Sequence, residues 1–199
     1  MLQNCEKAGR FYTVATQIDK SDDLNYLGWP TGGRMKTLFL LRHAKSSWKD
    51  DTLNDFERPL KKRGLADAQL IGKLIRQREL PLDLVISSSA ERARQTTQLV
   101  LMSADRQVET KFDERLYEAG MRRLLTLVSR LDNQANAVML VGHNPGFEEL
   151  LKTLTGEVNA MSTAALAGIE FDVDDWSLIK ARTGKLTLFI TPKELKSQP

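Results

Sequence analysis

Two histidines, His43 and His143, are the chain's full complement, and each follows a short apolar run. Thr37-Leu38-Phe39-Leu40-Leu41 delivers Arg42-His43, and Ala137-Val138-Met139-Leu140-Val141 runs into Gly142-His143-Asn144-Pro145. A third run, Leu82-Asp83-Leu84-Val85-Ile86, ends in Ser87-Ser88-Ser89 and is followed by Arg92. Imidazole is the side chain that changes charge near neutrality and serves as nucleophile, base or ligand. Guanidinium presents parallel N–H donors that match the oxygens of a phosphoryl group. Two of each at one edge of a sheet would make a concentrated positive site for a multi-oxygen anion. No Gly-x-x-x-x-Gly-Lys-Ser/Thr loop is present, so this is not a nucleotide P-loop. The residue types point to phosphoryl chemistry in which protein cations do the work of a metal ion.

The elements that must position these residues follow from the pattern. Apolar runs this short, without alternation, read as strands of a parallel sheet covered on both faces. Ligands of open α/β sheets bind beyond the carboxyl ends of such strands, which is where both histidines fall. Ser46 to Leu60 reads as a long polar loop containing Trp48, Asp50, Asp51, Asp55, Glu57 and Arg58. From Gly64 a helix is predicted with Leu65, Ala68, Ile71 or Gly72, and Ile75 on its apolar stripe, closed by Pro81. The three serines read as a cap for a helix starting near Glu91, with Arg92 on its first turn.

Gln107 to Lys111 is predicted as an outer strand, followed by the loop Asp113 to Glu118 and a helix marked by Met121, Leu124, Leu125, Val128 and Leu131. Phe147, Leu150, Leu151 and Leu154 mark the helix after His143. Ala164 to Phe171 and Lys185 to Ile190 are strand-like and nearly consecutive. Together these predict a three-layer α/β/α sandwich whose sheet is mostly parallel with an antiparallel edge.

Composition narrows the function. In 199 residues, 41% hydrophobic and 28% charged, there is room for one full α/β domain. The net charge of +3 is spread along the chain and forms no basic block, against a nucleic-acid partner. A single cysteine, Cys5, excludes an internal disulfide framework, suits a cytoplasmic setting, and with two histidines argues against a zinc site. No apolar run approaches the ~20 residues that span a bilayer, so no membrane association is expected. Residues 1–34 lack sustained periodicity and end in Trp29-Pro30-Thr31-Gly32-Gly33. They read as a peripheral extension ahead of a domain over 35–199.

The motifs, taken together, resemble one family. Arg42-His43-Ala44-Lys45-Ser46, then Arg58-Pro59-Leu60 with Arg63-Gly64, then Ser87-Ser88-Ser89-Ala90-Glu91-Arg92-Ala93-Arg94-Gln95-Thr96, then Gly142-His143-Asn144-Pro145 are similar to the histidine phosphatase superfamily, in this order. They match best its short branch, the SixA-type phosphohistidine phosphatases. Ala44 replaces the glycine of the superfamily's commonest Arg-His-Gly triplet. The resemblance covers about Met35 onward and implies a phosphoglycerate mutase-like fold with no cofactor. It implies that His43 is the nucleophile and forms a phosphohistidine. It also implies that Arg42, Arg92 and His143 hold the equatorial oxygens, with Arg58 as a further phosphate contact.

Glu118 stands where many members place a proton donor, and Asp50, Asp51 and Asp55 are rivals for that role. The expected substrate is a phosphorylated protein carrying phosphohistidine. A small phosphate ester is the alternative, and a non-catalytic phosphate-binding module is the alternative from another class.

Overall fold

Strand β1 (Lys36–Arg42) sits inside a six-stranded sheet ordered β3-β2-β4-β1-β5-β6 in the computed structural model, which describes residues 35–197. The other strands are β2 (Leu84–Ser88), β3 (Glu109–Asp113), β4 (Ala137–Gly142), β5 (Leu166–Phe171) and β6 (Lys185–Ile190). Strands β1, β4, β2 and β3 pair in parallel, whereas β5 pairs antiparallel with β1 and β6 antiparallel with β5. This is the expected mostly parallel sheet with its antiparallel edge. The reading of residues 1–34 as an extension, and Cys5 with it, lies outside the described residues.

The missing alternation in the central strands has a direct cause. Leu38 and Leu40 of β1 pack on one side with Val138, Leu140, Leu84 and Ile86. Phe39 and Leu41 pack on the other with Met139, Val141 and Val85. Helices α3 (Met121–Val128) and α4 (Gly146–Thr155) cover the first face through Leu124, Val128, Phe147 and Leu150. Helices α1 (Lys62–Gln77) and α2 (Glu91–Ala104) cover the second through Ala68, Ile71, Ala93 and Val100. The short C-terminal helix α5 (Pro192–Ser197) lies on that same side, where Lys196 binds the fully buried Asp67 of α1 at 2.5 Å. With both faces occupied, every position of a central strand favours an apolar side chain. Truncating one of them, such as Leu40→Ala, would cost about 2–5 kcal/mol.

Three local expectations are corrected. Leu65 is 40% exposed, because α1 begins at Lys62 and turns Gly64 inward in its place. A Cβ at Gly64 would collide with the Lys45 carbonyl oxygen, so only glycine lets α1 approach the segment after β1 this closely. The outer strand runs two residues later than the pattern suggests, over Glu109–Asp113. The serine triplet is no side-chain helix cap: Ala90 occupies the N-cap of α2 without a side-chain cap bond, and Ser87 and Ser88 are the buried end of β2.

Among the described residues, no helix is long and apolar enough to cross a membrane.

Candidate active site

The register of the parallel strands brings the two histidines together. Arg42 pairs with Gly142 across β1 and β4, and the His43 N–H donates to the Gly142 carbonyl at 2.9 Å. His43 and His143 therefore leave adjacent strand ends, with ring centroids 5.0 Å apart. The end of β2 arrives beside them, and the first turn of α2 carries Arg92 over the same edge. Thr96 ties the two segments: its hydroxyl accepts from the Ala44 N–H at 3.0 Å and donates to the Arg92 carbonyl at 2.6 Å. Behind His143, α4 starts tightly against the loop before α3, since a Cβ at Gly146 would collide with the Ala119 carbonyl oxygen.

The hydrogen bonds fix both tautomers. His43 Nδ1 lies 2.8 Å from the Ala44 carbonyl oxygen, which can only accept, so Nδ1 carries the proton and Nε2 keeps its lone pair. An Arg92 terminal nitrogen, which can only donate, lies 3.4 Å from His143 Nδ1, and His143 Nε2 lies 2.9 Å from the Ser88 hydroxyl oxygen. His143 is thus a neutral ring that donates through Nε2 to Ser88. Burial pushes the His43 pKa down to about 4, with Arg92, Arg42 and Arg58 adding to the effect against the Ala44 carbonyl. Burial pushes His143 down to about 3, with His43, Arg92 and Arg42 adding to the effect against Asp55. Both imidazoles are uncharged at neutral pH.

The arginines are anchored at their far sides. Arg42 donates to the Met161 carbonyl at 2.6 Å, and the Asn144 side chain donates to the same oxygen at 3.0 Å. Its Nε is buried with no hydrogen-bond partner, and an anionic oxygen would satisfy it. Arg92, only 5% exposed, donates to the backbone carbonyl of Asp55 and, at 2.8 Å, to Asp55 Oδ2. Tyr117 donates its hydroxyl to that same Oδ2 at 2.8 Å and stands edge-on to His143, ring centroids 5.5 Å apart. Burial alone would raise the Asp55 carboxyl, but the Tyr117 hydroxyl, Arg92 and Arg58 hold it below the usual carboxylate range.

Of the residues singled out in the sequence, Arg42, His43, Arg92 and His143 converge. Arg58 lies behind them: its three nitrogens donate to the Ser47 carbonyl at 2.9 Å, Asp55 Oδ1 at 2.5 Å and the Ser46 hydroxyl at 2.7 Å. Trp48 is exposed and stacks on it, with the guanidinium carbon 3.2 Å from the ring centroid. Glu118 is exposed, at φ 48°, beside a surface cleft with Arg122, Arg123 and Glu149. Asp50 and Asp51 are exposed, and Asp50 bonds Thr52.

Ser88 and Tyr117 are the site residues that sequence reasoning misses. Ser88 is hidden in a motif that also reads as a cap, and Tyr117 in a loop whose direction the sequence does not give. A surface cleft of about 720 Å³ between β3 and α3 is lined by none of the four converging residues. Among the described residues, no three His, Cys, Asp or Glu side chains are grouped so as to hold a metal ion.

Two neutral imidazoles, the buried Arg92 and the half-buried Arg42 thus gather at the carboxyl ends of parallel strands, an arrangement able to receive an anion beside an unprotonated ring nitrogen. The family description "Histidine phosphatase superfamily (branch 1)" matches residues 38–134, and the chain belongs to this superfamily. A candidate phosphohistidine phosphatase SixA from Agrobacterium tumefaciens is 30% identical, with 79% of this chain and 98% of that one covered at a TM-score of 0.69. The protein histidine phosphatase SixA in complex with tungstate shares the fold at 21% identity, covering 80% and 99% of the two chains at a TM-score of 0.69. An uncharacterised chloroplastic protein of Arabidopsis thaliana is 30% identical over 164 residues, 78% of this chain and 75% of that protein. Membership of this superfamily supports phosphatase activity.

Proposed function

We propose that the protein is a metal-independent phosphohistidine phosphatase that works through a phosphohistidine of its own. The observation that carries the reading is the unprotonated Nε2 of His43, oriented by the Ala44 carbonyl and surrounded by Arg42, Arg92 and His143. Nε2 attacks phosphorus in line with the leaving nitrogen, the substrate's P–N bond breaks, and the departing imidazole takes up a proton from solvent. Water then attacks the phosphorus on His43, the new P–N bond breaks, and inorganic phosphate leaves. Arg42 and Arg92 hold the equatorial oxygens as their charge develops, and His143, bonded to Arg92 through Nδ1 and to Ser88 through Nε2, steadies Arg92 beside them.

Two features favour phosphohistidine over a small phosphate ester. An ester's alkoxide needs a positioned acid, yet Asp55, the carboxylate bonded to Arg92, is kept ionised by its neighbours, and Glu118 is exposed. An imidazole leaves with less help. The connections between α2 and α4 carry only β3, a 3-10 turn over Glu114–Leu116, α3 and β4, with no helical lid to enclose a small substrate. A site without such a lid suits a phosphoryl group standing on a protein surface.

The test compares kcat/KM on a phosphohistidine-bearing protein with that on sugar phosphates and nucleotides under one set of conditions. The protein substrate is expected to win. A tenfold advantage for a small ester would replace this reading with a small-molecule phosphatase, and binding of phosphate without turnover of anything would leave only a binding module.

A further inference from the structure

Arg92 is gripped from one residue by two different atoms. The backbone carbonyl of Asp55 takes one terminal nitrogen of the guanidinium, and Oδ2 of the same residue takes the other at 2.8 Å. A two-point contact fixes the plane of the guanidinium as well as its position. Asp55 is itself held on three sides. Arg58 binds Oδ1 at 2.5 Å, the Tyr117 hydroxyl binds Oδ2 at 2.8 Å, and Asn54 caps the 3-10 turn Asp55–Glu57 by accepting from the Glu57 N–H at 3.2 Å. Arg58 is in turn held by the Ser47 carbonyl and the Ser46 hydroxyl, the latter beside the isolated bridge between Ser46 and Leu60 that closes this loop. A continuous path thus runs from the loop's base through Arg58, Asp55 and Arg92 to His143.

From this geometry we infer that Asp55 is a positioning residue for Arg92, aiming its guanidinium at the phosphoryl oxygens, and is not the proton donor to the leaving group. This inference rests on the phosphatase reading and adds a role within the same site. A carboxylate that accepts from Tyr117, Arg92 and Arg58 has three of its roughly four lone-pair sites engaged and is held in its ionised form, with no proton to give. Its negative charge also draws on the Arg92 field that a bound oxyanion would otherwise receive in full. Asp55 therefore weakens ground-state anion binding while keeping Arg92 in the orientation that the transition state uses, which is differential binding in favour of turnover.

The experiment pairs two readouts on Asp55→Asn, a near-isosteric change that removes the charge. Turnover is measured on phenyl phosphate and p-nitrophenyl phosphate, which differ in leaving-group basicity, and tungstate affinity is measured by calorimetry without turnover. The expected result is a kcat lower by about tenfold or more, by the same factor on both esters, with tungstate bound several-fold tighter. A loss much larger on phenyl phosphate would make Asp55 the leaving-group acid. Weaker tungstate binding would make it a purely structural support, and unchanged values a bystander; each of the three overturns the inference.

Tyr117→Phe removes one donor to Asp55 but keeps its charge and its Arg92 contacts, so it should lower kcat by a smaller factor, equal on both esters, with tungstate bound no tighter than by wild type. It keeps the test decisive should Asp55→Asn fail to fold. Wild-type turnover of phosphohistidine protein, measured alongside, reports on the phosphatase reading separately.

Discussion

His43 and His143 face each other with ring centroids 5.0 Å apart, and neither ring is charged at neutral pH. Two charged imidazoles so close, beside Arg42 and Arg92, would repel one another and their neighbours. Burial prevents this by favouring the neutral ring. The consequence is a nucleophile ready well below the usual histidine range.

The pH profile should show it. For p-nitrophenyl phosphate, corrected for the ester's own ionisation, kcat/KM should stay level from about pH 8 to about pH 5 and fall near the His43 value of about 4. A fall centred near the ordinary histidine pKa of about 6.5 would show that burial does not govern His43.

The two depressed pKa values also set an acid limit on stability. Well above the ordinary histidine pKa of about 6.5 both imidazoles are neutral in the folded and unfolded chains, so they contribute nothing to the pH slope. Below it the unfolded chain binds protons that the folded chain refuses, and stability falls until the folded values of about 4 and about 3 are reached. A tenfold weakening of proton binding corresponds to about 1.4 kcal/mol, so the combined loss should be several kcal/mol. Urea melts of wild type and His143→Gln between about pH 7 and about pH 4 test this: the variant should show the shallower slope, and equal slopes would contradict the assignment.

Charge supplied by protein side chains has its own signature. EDTA treatment should leave activity unchanged, and vanadate and tungstate should inhibit as phosphoryl mimics. Arg92→Ala should lower kcat/KM by about 10²–10³, comparable to losing one preorganised donor to a developing anion. Activity lost to EDTA and restored by magnesium would point to a different class of phosphatase.

The domain boundary is open to a direct cut. A chain starting at Met35 contains β1 (Lys36–Arg42) and every element that packs on it among the described residues. It should fold and keep its activity. A marked drop in Tm or kcat/KM on truncation would show that residues 1–34 contribute to the domain.

What is legible in the sequence, and what is not, divides along a physical line. The buried strands announce themselves because cores on both faces leave no polar alternative at Leu38 through Leu41 or Val138 through Val141. Arg42, His43, Arg92 and His143 are legible because each follows directly from such a strand or opens the next helix. The supports of these residues are not. Met161 acts on Arg42 through a backbone carbonyl, which leaves no mark on residue type. Ser88 and Tyr117 reach the site only after tertiary packing brings β2 and the loop before α3 to His143. Asp55 is visible as a carboxylate, but its role depends on which donors meet it, and three at short range decide that only in the folded chain. Leu65 misleads because periodicity alone places a stripe to within one residue, and the close approach at Gly64 rotates α1 by that much.

The central claim is that His43 Nε2 bonds covalently to phosphorus, and one measurement addresses it most directly. Enzyme mixed with a phosphoryl donor for a fraction of a turnover should be quenched in alkali, which preserves phosphohistidine, and the labelled residue located by peptide mass spectrometry. The expected result is a phosphoryl group on His43, absent from His43→Ala, with the variant still folded and its turnover reduced by several orders of magnitude. Label on Ser88, Asp55 or His143, or wild-type turnover without any protein-bound phosphoryl group, would contradict the account.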